Sequence, residues 1–272
     1  MKLNILLVSC CLERSRYDVL KKVIENLKKD CPSSWVLDMT VFDNASTWIG
    51  LGELRDTFPT VFRADRNVGY WTAIDWWLER LRLNDDQPEY TYIIESDMIH
   101  YDAAFMRNCL AFMDQHPEFG GMRLHEYCVE NAHLYNKDKP TALSKRWCWQ
   151  SHTNKVTGEA VTLEHVENVF WKTNFLTQLP ALNRYPIMVK VFDRLRMMPN
   201  FTELDFQRFY HDENRIIALK DLGMFKCEQQ PFDPRTITGS WSSPEDLKRH
   251  GYHPTRTAFI VPRDQYTVTE VR

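Results

Sequence analysis

The chain has 272 residues, of which 43% are hydrophobic and 26% charged, with a net charge of −3; these are the proportions of an ordinary folded protein and exclude a disordered tract or a strongly basic coat. Its length is long for one domain and short for two, and α/β folds reach this size as a unit, so one domain over 1–272 is expected. The longest apolar run near the start, Ile5 to Leu12, falls far short of a membrane span and lacks signal-peptide flanks, which leads to the expectation of a cytoplasmic protein.

In chain order, Lys2 to Ser9 is a nearly continuous Ile/Leu/Val run and predicts a strand buried on both faces. From Arg16 to Lys29, Val19, Leu20, Val23, Ile24 and Leu27 recur at helical spacing, and Cys31-Pro32 closes the segment. Trp35 to Phe42 predicts a second strand that stops at Asp43-Asn44-Ala45-Ser46. Val61 to Arg63 predicts a third, running into Asn67-Val68-Gly69, and Ile74, Trp77, Leu78 and Leu81 mark a helix over 71–83. Tyr90 to Ile94 predicts a fourth strand, ending at Glu95-Ser96-Asp97. A helix over 103–115 and a strand over 120–124 follow. Residues 127–165 hold Trp147, Trp149 and several histidines without a clean period. A strand over 166–175, a helix over 204–215, a short strand at 216–219 or 223–227, and a tail from Pro231 that wraps the surface complete the reading.

This rhythm is that of an α/β domain with a mostly parallel sheet flanked by helices. Ligands in such sheets sit at the carboxyl ends of strands, and three polar clusters fall at three such ends. Glu95 and Asp97 are two residues apart and leave the sheet on the same side, an arrangement that holds Mg²⁺ or Mn²⁺ together with substrate phosphates. Acidic residues after a strand serve equally well as a helix cap or a solvated turn. Asp43 offers a carboxylate to a base or ribose, and Gly69 allows close backbone approach to a ligand. Trp147 and Trp149 have faces suited to stacking on a sugar or base, or to core packing. Seven cysteines, with an adjacent pair at Cys10 and Cys11 and no C-x-x-C spacing, read as reduced core thiols.

The segments LLVSCCLERSRYDVLKKVIENL, VFDNAST, RNVGYWTAIDWWLERL and YIIESDMI resemble, in order and spacing, the N-terminal half of family-2-type glycosyltransferases of the GT-A (Rossmann-like) fold. The likeness covers residues 1–125 and implies a nucleotide-sugar-binding half there and an acceptor-binding half with a C-terminal tail over 126–272. It implies that Cys10, Glu13 and Arg14 border the nucleotide, that Asp43 with Asn44 binds the base, often uracil, and that Asn67 and Gly69 form a donor-binding turn. Glu95-Ser96-Asp97 corresponds to the D-x-D motif, with Asp97 as metal ligand and Glu95, a departure from the pattern, near the ribose. The segment from Phe201 resembles the family's acidic segment beneath the acceptor, so Asp205 or Glu203 would be the general base of an inverting transfer. His250 or His253 would add a histidine to the metal.

The resemblance therefore implies a metal-dependent transferase using a nucleotide sugar, UDP-linked, with Mn²⁺ or Mg²⁺. Its acceptor is open. Residues 172–272 carry 15 Lys+Arg against 12 Asp+Glu, and with Lys248, Arg249 and Arg256 they permit an anionic acceptor. A short, aromatic-rich chain of this kind resembles phage-type enzymes that glycosylate 5-hydroxymethylcytosine in DNA; a glycan or small molecule is the alternative. A nucleotidyltransferase would need a glycine-rich phosphate loop after the first strand, and Cys10-Cys11-Leu12-Glu13-Arg14 is not one. A binding module without activity is the remaining alternative class.

Overall fold

The structure, a computed structural model, describes residues 2–11, 14–30, 36–47, 53, 60–83, 87–96, 98–100, 105–123, 153–154, 156–160, 162–167, 170–174, 181–214, 217–220, 227–229 and 257–271. The first half alternates as expected. Strand β1 (Leu3–Ser9) leads through helix α1 (Arg14–Asp30) to β2 (Val36–Asp43), then β3 (Thr60–Ala64), α2 (Tyr70–Arg82) and β4 (Tyr90–Glu95). A short β5 (Met98–His100), helix α3 (Phe105–Gln115) and β6 (Gly121–Arg123) follow. Beyond them come β7 (Leu163–Glu167), β8 (Phe170–Thr173), β9 (Ala181–Arg184), α4 (Tyr185–Arg196), α5 (Glu203–Glu213), β10 (Ile217–Lys220), β11 (Cys227–Gln229) and β12 (Val268–Glu270).

Ten of these strands form one sheet in the order β12-β3-β2-β1-β4-β9-β6-β10-β8-β7, while β5 and β11 pair separately. Within the central stretch from β3 to β10, only β9 runs against the others. The mostly parallel sheet expected from the sequence is therefore present, with antiparallel strands added at both edges. Chain order reverses at β1, whose neighbours are β2 on one side and β4 on the other. A crevice opens at the carboxyl ends where such a reversal occurs.

Alternation along β1 divides the core in two. Leu3, Ile5 and Leu7 face the apolar stripe of α1 (Tyr17, Leu20, Val23, Ile24, Leu27) and α3 (Met106, Cys109, Leu110, Met113). Leu6 faces the opposite side, with α2 (Trp71, Ile74, Trp77, Leu78, Leu81), α4 (Met188, Val191, Phe192, Leu195) and α5 (Phe206, Tyr210). Two helical layers thus sandwich the sheet, because every other residue of a central strand must find an apolar partner on each face.

Several sequence expectations change here. The single strand expected over 166–175 is a hairpin, β7 and β8 paired antiparallel with a register shift between His165 and Glu167. Helix α4 and strand β9 were not expected. Both candidate positions for a late short strand are occupied, by β10 and by β11 close to its expected place. The described part of the tail does more than wrap: Ala258 and Phe201 exchange backbone hydrogen bonds at 2.6 and 2.8 Å, Val261 donates its amide to Thr72 Oγ1 at 3.0 Å, and β12 pairs antiparallel with β3. Arg263 reaches Asp75 and Glu79 of α2 at 3.6 and 3.7 Å. Asp75 is 2% exposed and also pairs with Arg196 at the end of α4, so one buried carboxylate ties the tail to two helices. Among the described residues no helix is long and apolar enough to cross a membrane.

One close approach fixes the packing of α5 on the sheet. Gly121 in β6 lies so near the Tyr210 hydroxyl that a Cβ would overlap it, and such a Cβ would sit 2.8 Å from Asn183 Oδ1. The Tyr210 hydroxyl donates to that same Asn183 oxygen at 2.8 Å inside the core. Only glycine leaves room for this bond.

Candidate active site

The carboxyl ends of β1, β2 and β3 are laced together by polar side chains. Asp43, the last residue of β2, is 1% exposed, and its Oδ1 accepts from the Ser46 amide at 3.1 Å. Its Oδ2 accepts no hydrogen bond from the described residues, and Arg63 Nε stands 3.5 Å away. Burial pushes the Asp43 carboxyl above its ordinary range, while Ser46 and Arg63 pull it back in part. Arg63 also donates to the Ser46 carbonyl at 2.6 Å, which spreads its charge over the whole turn.

Asn44, the next residue, is 4% exposed. Its backbone amide donates to Ser9 O at 2.7 Å, its Oδ1 accepts from the Val68 amide at 2.7 Å, and its Nδ2 donates to Asn67 Oδ1 at 2.8 Å. Asn67 Oδ1 accepts a second bond, from the Gly69 amide at 3.0 Å, and Asn67 Nδ2 lies 3.8 Å from Cys10 Sγ. Gly69 has φ +83 and precedes the first turn of α2 without a side-chain cap. A side chain there would be strained. Ala45, by contrast, takes φ +59 despite its Cβ.

Beneath this surface, Ser46 Oγ accepts from the Cys11 amide at 2.7 Å, and Ser9 Oγ lies 3.2 Å from Cys11 Sγ. Burial raises both thiols above the ordinary range, Cys11 to about 11, and the Asp43 charge raises them further. The nearby Arg16 guanidinium lowers both. Arg14, exposed on α1, instead pairs with Asp18 at 3.8 Å. Helix phase thus turns Arg16 toward the strand ends. The sequence reading did not single out Arg16, Arg63 or Ser46; a helical projection from Arg14 identifies the first, and the other two become legible only once β2 and β3 are paired.

β4 ends at the same edge, with Glu95 as its last residue. Glu95 stands in register with Val8, one residue before the end of β1, and Ser96 turns the chain toward β5, which leaves the main sheet to pair with β11. Asp97, Glu13, Trp147, Trp149, His250 and His253 lie outside the described residues. Among the described residues, no group of three or more His, Cys, Asp or Glu side chains converges as a metal cage.

Glu203 and Asp205 open α5. Thr202 and Asp205 form a reciprocal capping box: Asp205 Oδ2 accepts from the Thr202 amide and hydroxyl, both at 2.8 Å, and Thr202 Oγ1 accepts from the Asp205 amide at 3.4 Å. Asp205 Oδ1 accepts from Arg208 at 3.2 Å. Glu203 is 6% exposed, and its Oε1 accepts from Gln207 at 3.3 Å. The Trp71 ring joins this helix start to the Asn67–Gly69 turn. It lies two residues after Gly69, and its centroid is 5.4 Å from Phe201 and 5.2 Å from Phe206. Packing therefore brings the α5 carboxylates to the end of α2 that carries Gly69.

The seven-strand centre, the reversal at β1 and the polar side chains laced across the carboxyl edge define an α/β fold of the GT-A, Rossmann-like type. Solved structures agree. The chain superposes on S. aureus TarS 1-349 in complex with UDP-GlcNAc with a TM-score of 0.54 at 14% identity, covering 92% of this chain and 64% of that one. It superposes on GalNAc-T7 with UDP, GalNAc and Mn²⁺ with a TM-score of 0.54 at 8% identity, covering 91% and 48%. The chain spans 59% to 64% of the length of the first TarS structures it matches. No protein-family model and no curated protein matches the sequence.

Proposed function

We propose that the chain is a glycosyltransferase that moves a sugar from a UDP-sugar to an acceptor hydroxyl with inversion. The observation that carries this reading is Asp43: a buried carboxylate whose Oδ2 accepts no hydrogen bond from the described residues, at the carboxyl edge of a sheet of GT-A type. A buried acceptor of this kind calls for a donor, and a uracil ring N–H supplies one. The GT-A resemblance of the first 125 residues supports the same assignment.

On this reading Asp43 orients the base, Asn67 and the Gly69 turn flank the diphosphate, and Glu95 with Ser96 approaches the ribose. Asp97, with His250 or His253, would hold Mn²⁺ or Mg²⁺; the register that brings Glu95 beside the end of β1 suits that assignment. A cation there would offset charge on the departing diphosphate. In the transfer itself, the acceptor oxygen attacks the anomeric carbon, the carbon–oxygen bond to the diphosphate breaks, and the acceptor proton passes to a carboxylate at the start of α5. Asp205 or Glu203 takes that proton. The acceptor belongs to the half of the chain after residue 125, within which the excess of Lys+Arg over residues 172–272 supports an anionic one such as DNA bearing 5-hydroxymethylcytosine; salt-sensitive duplex binding tests that.

The experiment is thermal unfolding with UDP, GDP or CDP, in Mn²⁺ and again in EDTA. A ligand that binds the native state raises the midpoint by mass action. The expected result is a shift with UDP that disappears in EDTA and in Asp97→Ala. No shift with any diphosphate would overturn the reading.

A further inference from the structure

Both ends of the Asn44 side-chain amide are engaged within the protein, by Val68 and by Asn67, so Asn44 has no group left over for a ligand. We infer that Asn44 is a positioning residue that sets the polarity of Asn67, so that Asn67 presents N–H donors and not a carbonyl oxygen to an oxygen-rich ligand such as a nucleoside diphosphate. This rests on the nucleotide-sugar reading of the site.

The inference follows a chain of forced orientations. The Val68 backbone amide is a donor and nothing else, so the Asn44 atom 2.7 Å from it must be the oxygen. The other end of Asn44 is then the NH₂, and the Asn67 atom 2.8 Å from it must be oxygen in turn. The Gly69 amide, 3.0 Å from that same Asn67 atom, independently requires an acceptor there. Asn67 is left with its Nδ2 on the outside, where the described residues offer it a sulfur at 3.8 Å. A thiol sulfur is a weak acceptor, so the donor is under-used and suited to an oxygen of the ligand.

The backbone is bent to hold Asn44 in place. Its amide is tied to Ser9 O at 2.7 Å, and the following Ala45 takes φ +59, the only left-handed residue other than glycine among those described. For a residue with a Cβ, that conformation costs on the order of 1 kcal/mol. Asn44 thereby links three strand ends: β1 through Ser9, β2 through its own position, and β3 through Val68 and Asn67.

Two substitutions separate polarity from packing. Asn44→Asp keeps the shape and the acceptor for Val68, but its second oxygen faces Asn67, which must rotate its amide and turn Oδ1 outward. Asn44→Ala removes both bonds and leaves Asn67 free to keep its donor outward. UDP affinity in Mn²⁺ is therefore expected to fall further in Asn44→Asp, roughly 30-fold or more, than in Asn44→Ala, roughly 3- to 10-fold. A merely structural role predicts the reverse order. Because aspartate also adds charge, the pair is repeated in an Asn67→Ala background. An effect transmitted through Asn67 disappears there, and plain repulsion of the diphosphate persists.

Amide hydrogen exchange without ligand gives an independent readout. Asn44→Asp should leave Val68 protected and expose Gly69, and Asn44→Ala should expose Val68. Equal protection of Gly69 in Asn44→Asp and wild type would overturn the inference, as would UDP binding to Asn44→Asp at least as tightly as to Asn44→Ala. If the wild type binds no UDP while the exchange pattern holds, the nucleotide reading fails and the polarity lock stands.

Discussion

The substitution Asp43→Asn exchanges a proposed base contact for stability, and the structure indicates by how much. The carboxylate is 1% exposed, one oxygen accepts no hydrogen bond from the described residues, and its cationic partner Arg63 is 3.5 Å away and itself 27% exposed. A buried ion costs several kcal/mol of desolvation before pairing offsets it, and this pairing is indirect. An amide of the same shape keeps the Ser46 bond, carries no charge, and leaves Arg63 partly solvated and still bonded to Ser46 O. A net gain of about 1 kcal/mol at pH 8 is expected, which raises the midpoint by roughly 2–4 °C for a chain of this size. The sign with pH follows from the raised carboxyl. The unfolded chain ionises first, at about pH 4, so Asp43 costs wild-type stability as pH climbs from there through the native value, and the uncharged amide removes that cost. Calorimetry of both proteins from pH 4 to 8 measures the difference, which should grow across this window and then level. A difference independent of pH, or a variant less stable than wild type at pH 8, would refute the assignment of Asp43 as a poorly compensated buried charge. UDP affinity should fall in the same variant.

Three other outcomes are expected. Gly121→Ala forces a Cβ into the Tyr210–Asn183 hydrogen bond and should destabilise by about 2–4 kcal/mol, read from urea midpoints. Asp75→Ala removes a buried carboxylate but leaves Arg196 paired with Glu79 and Asp193, each at 2.8 Å, and should cost about 1–2 kcal/mol, whereas Arg263→Ala, whose side chain is 47% exposed, should cost less than about 1 kcal/mol and less still in high salt. Asp205→Asn keeps an acceptor oxygen for the Thr202 cap and should hold the unfolding free energy within about 1 kcal/mol of wild type. Its kcat should nonetheless drop by roughly 100-fold or more if Asp205 takes the acceptor's proton, and an unchanged kcat would transfer that role to Glu203.

How far the sequence revealed the molecule depended on how local each signal was. Helices α1 and α2 were legible because their stripes, Leu20 to Leu27 and Ile74 to Leu81, are clean at helical period, and β1 and β4 because their apolar runs are unbroken. Helix α4 was missed although Met188, Val191, Phe192 and Leu195 have the same period. Pro186 reads as a breaker, yet it lies in the first turn, where the missing N–H costs nothing. β9 is four residues with a buried Asn183 among them, too short for any period. At the site, Asp43 and Asn67 were visible as strand-end residues. Their linkage was not, since Asn44 and Asn67 are 23 residues apart and nothing in either segment indicates that one amide orients the other. At Asp205 the structure shows a helix-capping role, a local signal that an acidic residue three places after a threonine carries in the sequence itself.

β12 also affects how the chain comes to be folded. It is the last strand among the described residues and pairs with β3, about three quarters of the chain earlier: Val268 faces Ala64, and Glu270 faces Phe62. During synthesis the outer backbone groups of β3 therefore stay unpaired until residue 270 has left the ribosome, whereas β1, β2, β3 and β4 have all been made by residue 95. An open parallel edge is a template for another chain. The opposite edge is less inviting throughout, because β7 carries Glu164, His165 and Glu167, partly or fully exposed. Closure of the sheet is thus the longest-range strand pairing among the described residues, and a chain stopped at residue 256 should aggregate through β3 although it retains every residue of the Asp43 cluster.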